Sequence, residues 1–171
     1  TLMTPLFNPG PNPHGIPKIY VAAVGPLMTK AVARSADGLL AHPFNTPTYL
    51  KNITLPLIDE ALSSVNKERD AFDLSISFMT GIGATEESHK KAVRACRDQV
   101  AFYASTPNYR AVLELHGYEE LSGELNRLSK EGKWKQMGDA IDDEILNTFA
   151  VISESPQKLA NEILNRYGNT G

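Results

Sequence analysis

The strongest constraint in this sequence is a rhythm that repeats four times: a short apolar run, a cluster of Gly, Pro, Ser or Thr, and then an amphipathic stretch of helical spacing. An apolar run of four to eight residues bounded by turn residues reads as a buried strand, and three- and four-residue recurrence reads as a helix lying on it. Each connection is long enough to return the chain to the same edge, so the strands are expected to run parallel in an α/β fold. The rhythm leaves two architectures open, a small open sheet or half of an eight-stranded barrel.

The first run, residues 19–24 (IYVAAV), stops at Gly25-Pro26, where a strand turns sharply into a helix with Leu27, Ala31 and Ala36 facing inward. Asp37-Gly38 closes that helix, and Leu39, Leu40 and Ala41 form a second strand. Thr46 then caps a helix with Pro47 at its first position and Leu50, Ile53, Leu57 and Ala61 on one face. Pro56, which lacks an N–H, should kink or split it. In FDLSISFMTGIG, Leu74, Ile76 and Phe78 alternate with Ser75, Ser77 and Met79, predicting one strand with a helix-covered face and a small or polar face. Thr85 caps the next helix, where Ala92, Val93, Cys96 and Val100 make an apolar stripe. Residues 108–148 read as wholly helical, 149–152 as the last strand, and Ser155-Pro156 as the opening of a final helix stopped by Gly168.

Composition narrows the function classes. A chain of 171 residues, 42% hydrophobic and 22% charged, suits one soluble globular domain. Its net charge of -3 supplies no basic field for nucleic acid. The single cysteine, Cys96, excludes an internal disulfide and sits on a helix's apolar face, which suits a core residue better than a nucleophile. No run approaches the ~20 apolar residues of a membrane span, and no basic-then-apolar leader is visible. A cytoplasmic location is therefore expected. The opening residues TLMTPLFNPGPNPHGIP lack an initiator Met and read as a Pro- and Gly-rich loop, so the chain is expected to be part of a longer polypeptide.

In parallel α/β folds, ligands sit on the loops that follow the strands. After the first strand, Gly25 has no side chain to hold a ligand away, and the helix beginning at Pro26 offers unpaired N–H groups to an anion; a plain tight turn explains the same residues. After the second, His42-Pro43-Phe44-Asn45 sets a His, a ring and an amide at a pocket mouth, with no carboxylate partner apparent for the His. GIGATEE, at 81–87, has two of the glycines of a dinucleotide fingerprint. It lacks the third, and no acidic residue ends a following strand, so turn chemistry explains it adequately. His14, His89 and His116 do not pair at metal-ligand spacing, and no GxSxG nucleophile motif is present. Trp134 and its apolar neighbours could pack against a partner.

The segments YVAAVGPLM, ADGLLAHPF, PLIDEAL and DEILNTFAVISESPQKLANEILNRYG, in this order across residues 16–168, resemble the C-terminal half of a bacterial-luciferase-like monooxygenase. They are most similar to the branch of deazaflavin (coenzyme F-420)-dependent oxidoreductases. The resemblance implies half of a TIM-type (β/α)8 barrel, about four βα units, in a protein roughly twice this length. It implies a cofactor, F-420 or alternatively FMN, lying against the backbone of Val24, Gly25, Leu27 and Met28, with His42 lining the substrate side. Hydride would pass between that cofactor and a small organic substrate. Partners would be the substrate and either further copies of the chain or the missing N-terminal half, with no nucleic acid, membrane or metal. The catalytic residues stay unassigned, because the family places most of them on the first four strands. Where relatives often carry Gly-Thr-Pro at the last strand-to-helix turn, this chain has Glu154-Ser155-Pro156, which weakens the case for an anion there. On this reading Gly25→Val is expected to weaken cofactor binding by blocking backbone approach and to leave the fold largely intact. Two other readings remain: a non-catalytic half-barrel that pairs with another chain, and an unrelated phosphate-binding α/β module resting on the Gly25 turn alone.

Overall fold

The computed structural model describes residues 10–168. The first nine residues of the expected N-terminal loop lie outside these; residues 10–19 form neither helix nor strand.

Strand β1 (Tyr20–Ala23) leads through Gly25 into helix α1 (Pro26–Ser35), and β2 (Gly38–Ala41) follows. Helix α2 is built from three contiguous segments, Pro47–Tyr49, Leu50–Thr54 and Leu55–Ser63, the middle one a π-helical turn. Next come β3 (Asp73–Ile76), β4 (Met79–Ile82) and the long α3 (Glu86–Ala104). Four shorter helices follow: α4 (Arg110–Glu114), α5 (Glu119–Lys130), α6 (Trp134–Asp139) and α7 (Asp143–Phe149). The last elements are β5 (Ala150–Ser153) and α8 (Pro156–Tyr167). No helix among the described residues is long and apolar enough to cross a membrane.

All strand pairs are parallel. β1, β2 and β3 form one sheet in sequence order, with Ala22, Leu40 and Ser75 in one row; β4 pairs with β5 in a second sheet. The single strand predicted across FDLSISFMTGIG is thus two strands in two sheets. The alternation slips between them: Leu74 and Ile76 lie toward the helices, whereas beyond Ser77-Phe78 the buried positions become Met79 and Gly81. Period two survives within each strand, and a one-residue slip between them, Ile76 to Met79 being an odd step, changes the face of everything after it.

One face of the three-stranded sheet is covered. Leu39, with Val21, Ala23 and Leu74 partly buried, packs against Val32, Ala33 and Ala36 of α1 and Ile58, Ala61 and Leu62 of α2. Burying one such aliphatic side chain contributes about 1.5–3 kcal/mol. Of the three residues predicted to face inward from α1, Ala36 is buried as expected, whereas Leu27 is 86% exposed and Ala31 is exposed; Thr29, Val32 and Ala33 are buried instead. The opposite face is open, with Tyr20 and Leu40 each 40% exposed and Ala22 and Ser75 exposed beside them. A second, larger core gathers α3 to α7 with β4 and β5, centred on Val100, Leu113, Leu125, Met137 and Ile141. Cys96 belongs to it, and burial raises its thiol pKa, so this cysteine is a packing residue.

Pro56 does not split α2. The Leu55 N–H bonds to the Leu50 carbonyl, five residues back, and this widened turn accommodates a ring that would strike the carbonyl of a regular preceding turn. The cap assignments at Thr46, Thr85 and Ser155 hold, each hydroxyl accepting a backbone N–H from the first turn of its helix.

Candidate active site at the ends of the first two strands

The C-terminal ends of β1 and β2 bring Val24, Gly25 and His42 to one rim. Two clefts meet there. One, on the open face of the sheet, is bordered by Ala22, Val24, Leu40, His42, Pro43 and Ser77. The other is a narrow cleft of about 40 Å³ between the sheet and its helices, bordered by Gly25, His42, Phe44, Asn45, Tyr49 and Tyr109 among others. His42 and Val24 form part of both.

Gly25 is the N-cap of α1 with φ 78° and ψ 163°, a conformation open almost only to glycine. No side chain caps this helix, and no acidic residue occupies its first turn. A Cβ at position 25 would meet no atom within 4 Å, so the backbone is approachable from outside. Leu27 and Met28, 86% and 50% exposed, stand beside it. Of the four residues expected to hold a cofactor, Val24 and Gly25 border the clefts, whereas Leu27 and Met28 are exposed but border neither. A side chain at position 25 would meet no atom within 4 Å of its Cβ but would strain the backbone by about 1–3 kcal/mol, a local cost that Gly25→Val would carry besides any effect on a ligand.

The loop 42–46 is held from within. His42 Nδ1 accepts the Phe44 N–H at 3.1 Å, and the Asn45 amide donates to the His42 carbonyl. Thr46 Oγ1 accepts the Tyr49 N–H at 3.1 Å and lies 2.8 Å from His116 Nε2. With Nδ1 occupied as an acceptor, neutral His42 carries its proton on Nε2 and donates to Tyr109 Oη at 3.1 Å. The imidazole stacks on Tyr109, centroids 4.6 Å apart, and meets Tyr103 edge-on at 4.7 Å. Phe44 stacks flat on Phe149 at 4.5 Å. Burial among these rings lowers the pKa of His42 and of His116 and raises those of Tyr49 and Tyr109, so all four are neutral near pH 7. Asn45 is 5% exposed, and its Oδ1 has no partner among the described residues. A buried acceptor left so costs about 1–3 kcal/mol.

Gly25, His42, Phe44 and Asn45, singled out in sequence, border this cleft together with Tyr109 from the turn before α4, which sequence does not mark; Tyr103, from the end of α3, packs edge-on against His42. The two tyrosines lie in stretches that read as helix and helix end, and nothing local marks a tyrosine as reaching a loop some 60 positions away. The two glycines of GIGATEE are explained by packing. A Cβ at 83 would sit 2.3 Å from the His89 backbone, and one at 81 would sit 3.1 Å from Cys96 Sγ. Among the described residues, no group of three His, Cys, Asp or Glu side chains is placed to hold a metal ion.

The family model described as luciferase-like monooxygenase matches residues 1–171. An uncharacterized Mycobacterium tuberculosis protein, Rv1360, is 44% identical over 151 residues, covering 88% of this chain and 44% of the relative. The 5,10-methylenetetrahydromethanopterin reductase of Archaeoglobus fulgidus is 31% identical over 166 residues, covering 92% of this chain and 45% of the relative. The chain thus spans about half the length of the curated relatives it matches. Among solved structures, the coenzyme F-420-dependent tetrahydromethanopterin reductase of Methanopyrus kandleri superposes with a TM-score of 0.64 at 21% identity, covering 85% of this chain and 48% of that one. An F-420-dependent secondary alcohol dehydrogenase, solved with an F-420–acetone adduct, gives 0.63 at 17% identity, covering 93% and 42%. At these identities the two structures establish a shared α/β fold. The family model, matching residues 1–171, shows that this chain belongs to the luciferase-like monooxygenase family.

Proposed function

We propose that this chain is the C-terminal half of a (β/α)8 oxidoreductase that uses the deazaflavin coenzyme F-420, and that the rim formed by Gly25 and His42 is one wall of its active site. The observation that carries this reading is the open helix N-terminus at Gly25, directly beside an exposed apolar sheet face at the strand ends. The named relatives support an oxidoreductase, and the fold neighbours support F-420 over FMN. The accessible backbone at Gly25 fits an anionic cofactor tail, and Val24, Leu27 and Met28 fit the apolar edge of a ring system.

When bound, the deazaflavin supplies a hydride-carrying ring. The first turn of α1 would hold the anionic part through its free N–H groups and the positive end of the helix. Val24, Leu27 and Met28 would keep water from the ring's flank. His42, neutral and with both ring nitrogens engaged, would shape the substrate side rather than deliver a proton. Glu154-Ser155-Pro156 offers a carboxylate beside the last strand's turn, ion-paired to Lys158, and so takes no anion in this proposal.

The open sheet face and the strand edges at β1 and β5 also suit a half-barrel that pairs with a separate chain. Both readings require the same covering strands, and they differ in whether one polypeptide supplies them and whether a cofactor binds. Titrating the full-length protein with F-420 and, separately, with FMN, followed by fluorescence, tests the proposal. F-420 should bind with a saturable change and FMN should bind more weakly. Binding of neither would leave the non-catalytic half-barrel, and tighter binding of FMN would overturn the cofactor assignment.

A further inference from the structure

The loop 42–46 is tied to the helical segment that follows α3 at three points. His42 Nε2–H donates to Tyr109 Oη at 3.1 Å, Phe44 stacks on Phe149, and Thr46 Oγ1 lies 2.8 Å from His116 Nε2. These ties respond differently to a second proton on a histidine. The ring stack carries no exchangeable proton. The Thr46 hydroxyl accepts the Tyr49 N–H and can turn about its C–O bond, so it donates to a bare His116 Nε2 and accepts from a protonated one. His42 has no such freedom. Its Nδ1 accepts the backbone N–H of Phe44, a residue only 2% exposed, and a proton on that nitrogen would set donor against donor. The charged imidazole therefore cannot keep this geometry, and either the ring or the Phe44 amide has to leave.

Nothing around the ring compensates a charge. The titratable groups that face it are Tyr103 from the end of α3 and Tyr109 from the turn before α4, with Tyr49 of α2 on the same narrow cleft. The strands bring none, and neither of the clefts that His42 borders carries an Asp, Glu, Lys or Arg. An imidazolium here would give up its hydration without gaining a counter-charge, and burial accordingly lowers the pKa of His42. Burial raises those of Tyr49 and Tyr109, so both stay neutral as the pH falls.

We propose that residues 42–46 form a proton-released latch, closed while His42 is neutral and freed from Tyr109 and the Phe44 N–H when the imidazole takes a second proton. Because His42 belongs to the walls of both clefts, its departure opens the rim between them. The released imidazole is more basic than the packed one, so opening is suppressed above the ordinary histidine value and favoured below it. The inference goes beyond the oxidoreductase reading and holds whichever cofactor binds at Gly25.

Hydrogen–deuterium exchange of the full-length protein tests the latch, read by mass spectrometry from about pH 8 to about pH 5 with the intrinsic pH dependence of exchange removed. A peptide covering 42–46 should lose protection below about pH 6.5, by up to about tenfold per unit, the limit for one linked proton. Peptides of α3 around Val100 should keep theirs. In His42→Asn the side-chain carbonyl accepts the Phe44 N–H in a turn that asparagine favours and takes up no proton, so protection should persist as the pH falls. In His116→Gln the loss should remain. Wild-type protection that ignores pH, a loss that α3 shares in step, a loss that persists in His42→Asn, or one that disappears in His116→Gln would each overturn the proposal. Should His42→Asn fail to fold, the wild-type profile and His116→Gln still decide.

Discussion

His42 shows how a residue's neighbours decide which chemistry it can perform. In sequence it is a loop histidine that could exchange a proton near neutral pH. In the structure its Nδ1 takes the Phe44 N–H, its Nε2 serves Tyr109, and desolvation lowers its pKa. The folded protein therefore binds fewer protons than the unfolded chain when the pH falls below the ordinary histidine value of about 6.5. Stability from this site is fully present above that value and is lost as the pH falls toward the lowered one. His116, also depressed by burial, acts in the same direction. The unfolding free energy, measured by urea titration at several pH values below 6.5, should rise with pH, by at most about 1.4 kcal/mol per unit for each proton linked. In a His42→Gln, His116→Gln double variant the slope should flatten. An unchanged slope would show that neither imidazole is buried as described.

At the scale of elements, the three-stranded sheet is tied together at its N-terminal end by contacts that cross β2. The Tyr20 ring lies over Gly38, and its hydroxyl donates to Asp73, which also receives Lys18. A Cβ at position 38 would stand 2.5 Å from the Tyr20 ring and 2.8 Å from the Asp73 carbonyl, so the glycine is required by close approach. Gly38→Ala should destabilise the protein by about 1–3 kcal/mol, the range for forcing extra volume into a packed site. Chemical denaturation would read this, and a loss below ~0.5 kcal/mol would mean that the ring simply swings aside. Sequence reading assigned Gly38 only to the close of α1, because nothing local shows a tyrosine 18 positions earlier lying across it. The pattern succeeded where one local cause suffices: Thr46, Thr85 and Ser155 cap their helices through bonds that span three residues. It failed where the cause was a backbone irregularity. The break after Ile76 divides one predicted strand between two sheets, and the π turn carries α2 past Pro56 without splitting it. Of the candidate site, the strand-end residues were legible, and the tyrosines that arrive from across the fold were not.

The whole molecule is asymmetric in a way that has consequences for its solution behaviour. Its helices cover one side of the three-stranded sheet, and the other side presents Tyr20, Ala22, Val24 and Leu40 to solvent, with Ile82 of the second sheet 47% exposed. Within their sheets β1 and β5 each pair on one side only. Unpaired parallel edges beside an apolar face are a template for association. Expressed on its own, the 171-residue chain should therefore self-associate, with apparent mass rising with concentration in sedimentation velocity. Leu40→Glu places a charge in the middle of the open face at a position already 40% exposed, so it should weaken association and leave the helix-covered core intact. Circular dichroism would verify the fold of the variant. Supplying the preceding half of a full-length homologous barrel as a separate polypeptide should suppress self-association by covering the same face. A chain that stays monomeric at all concentrations and unfolds cooperatively would show that the open face needs no cover, and the half-barrel proposal would lose its physical basis.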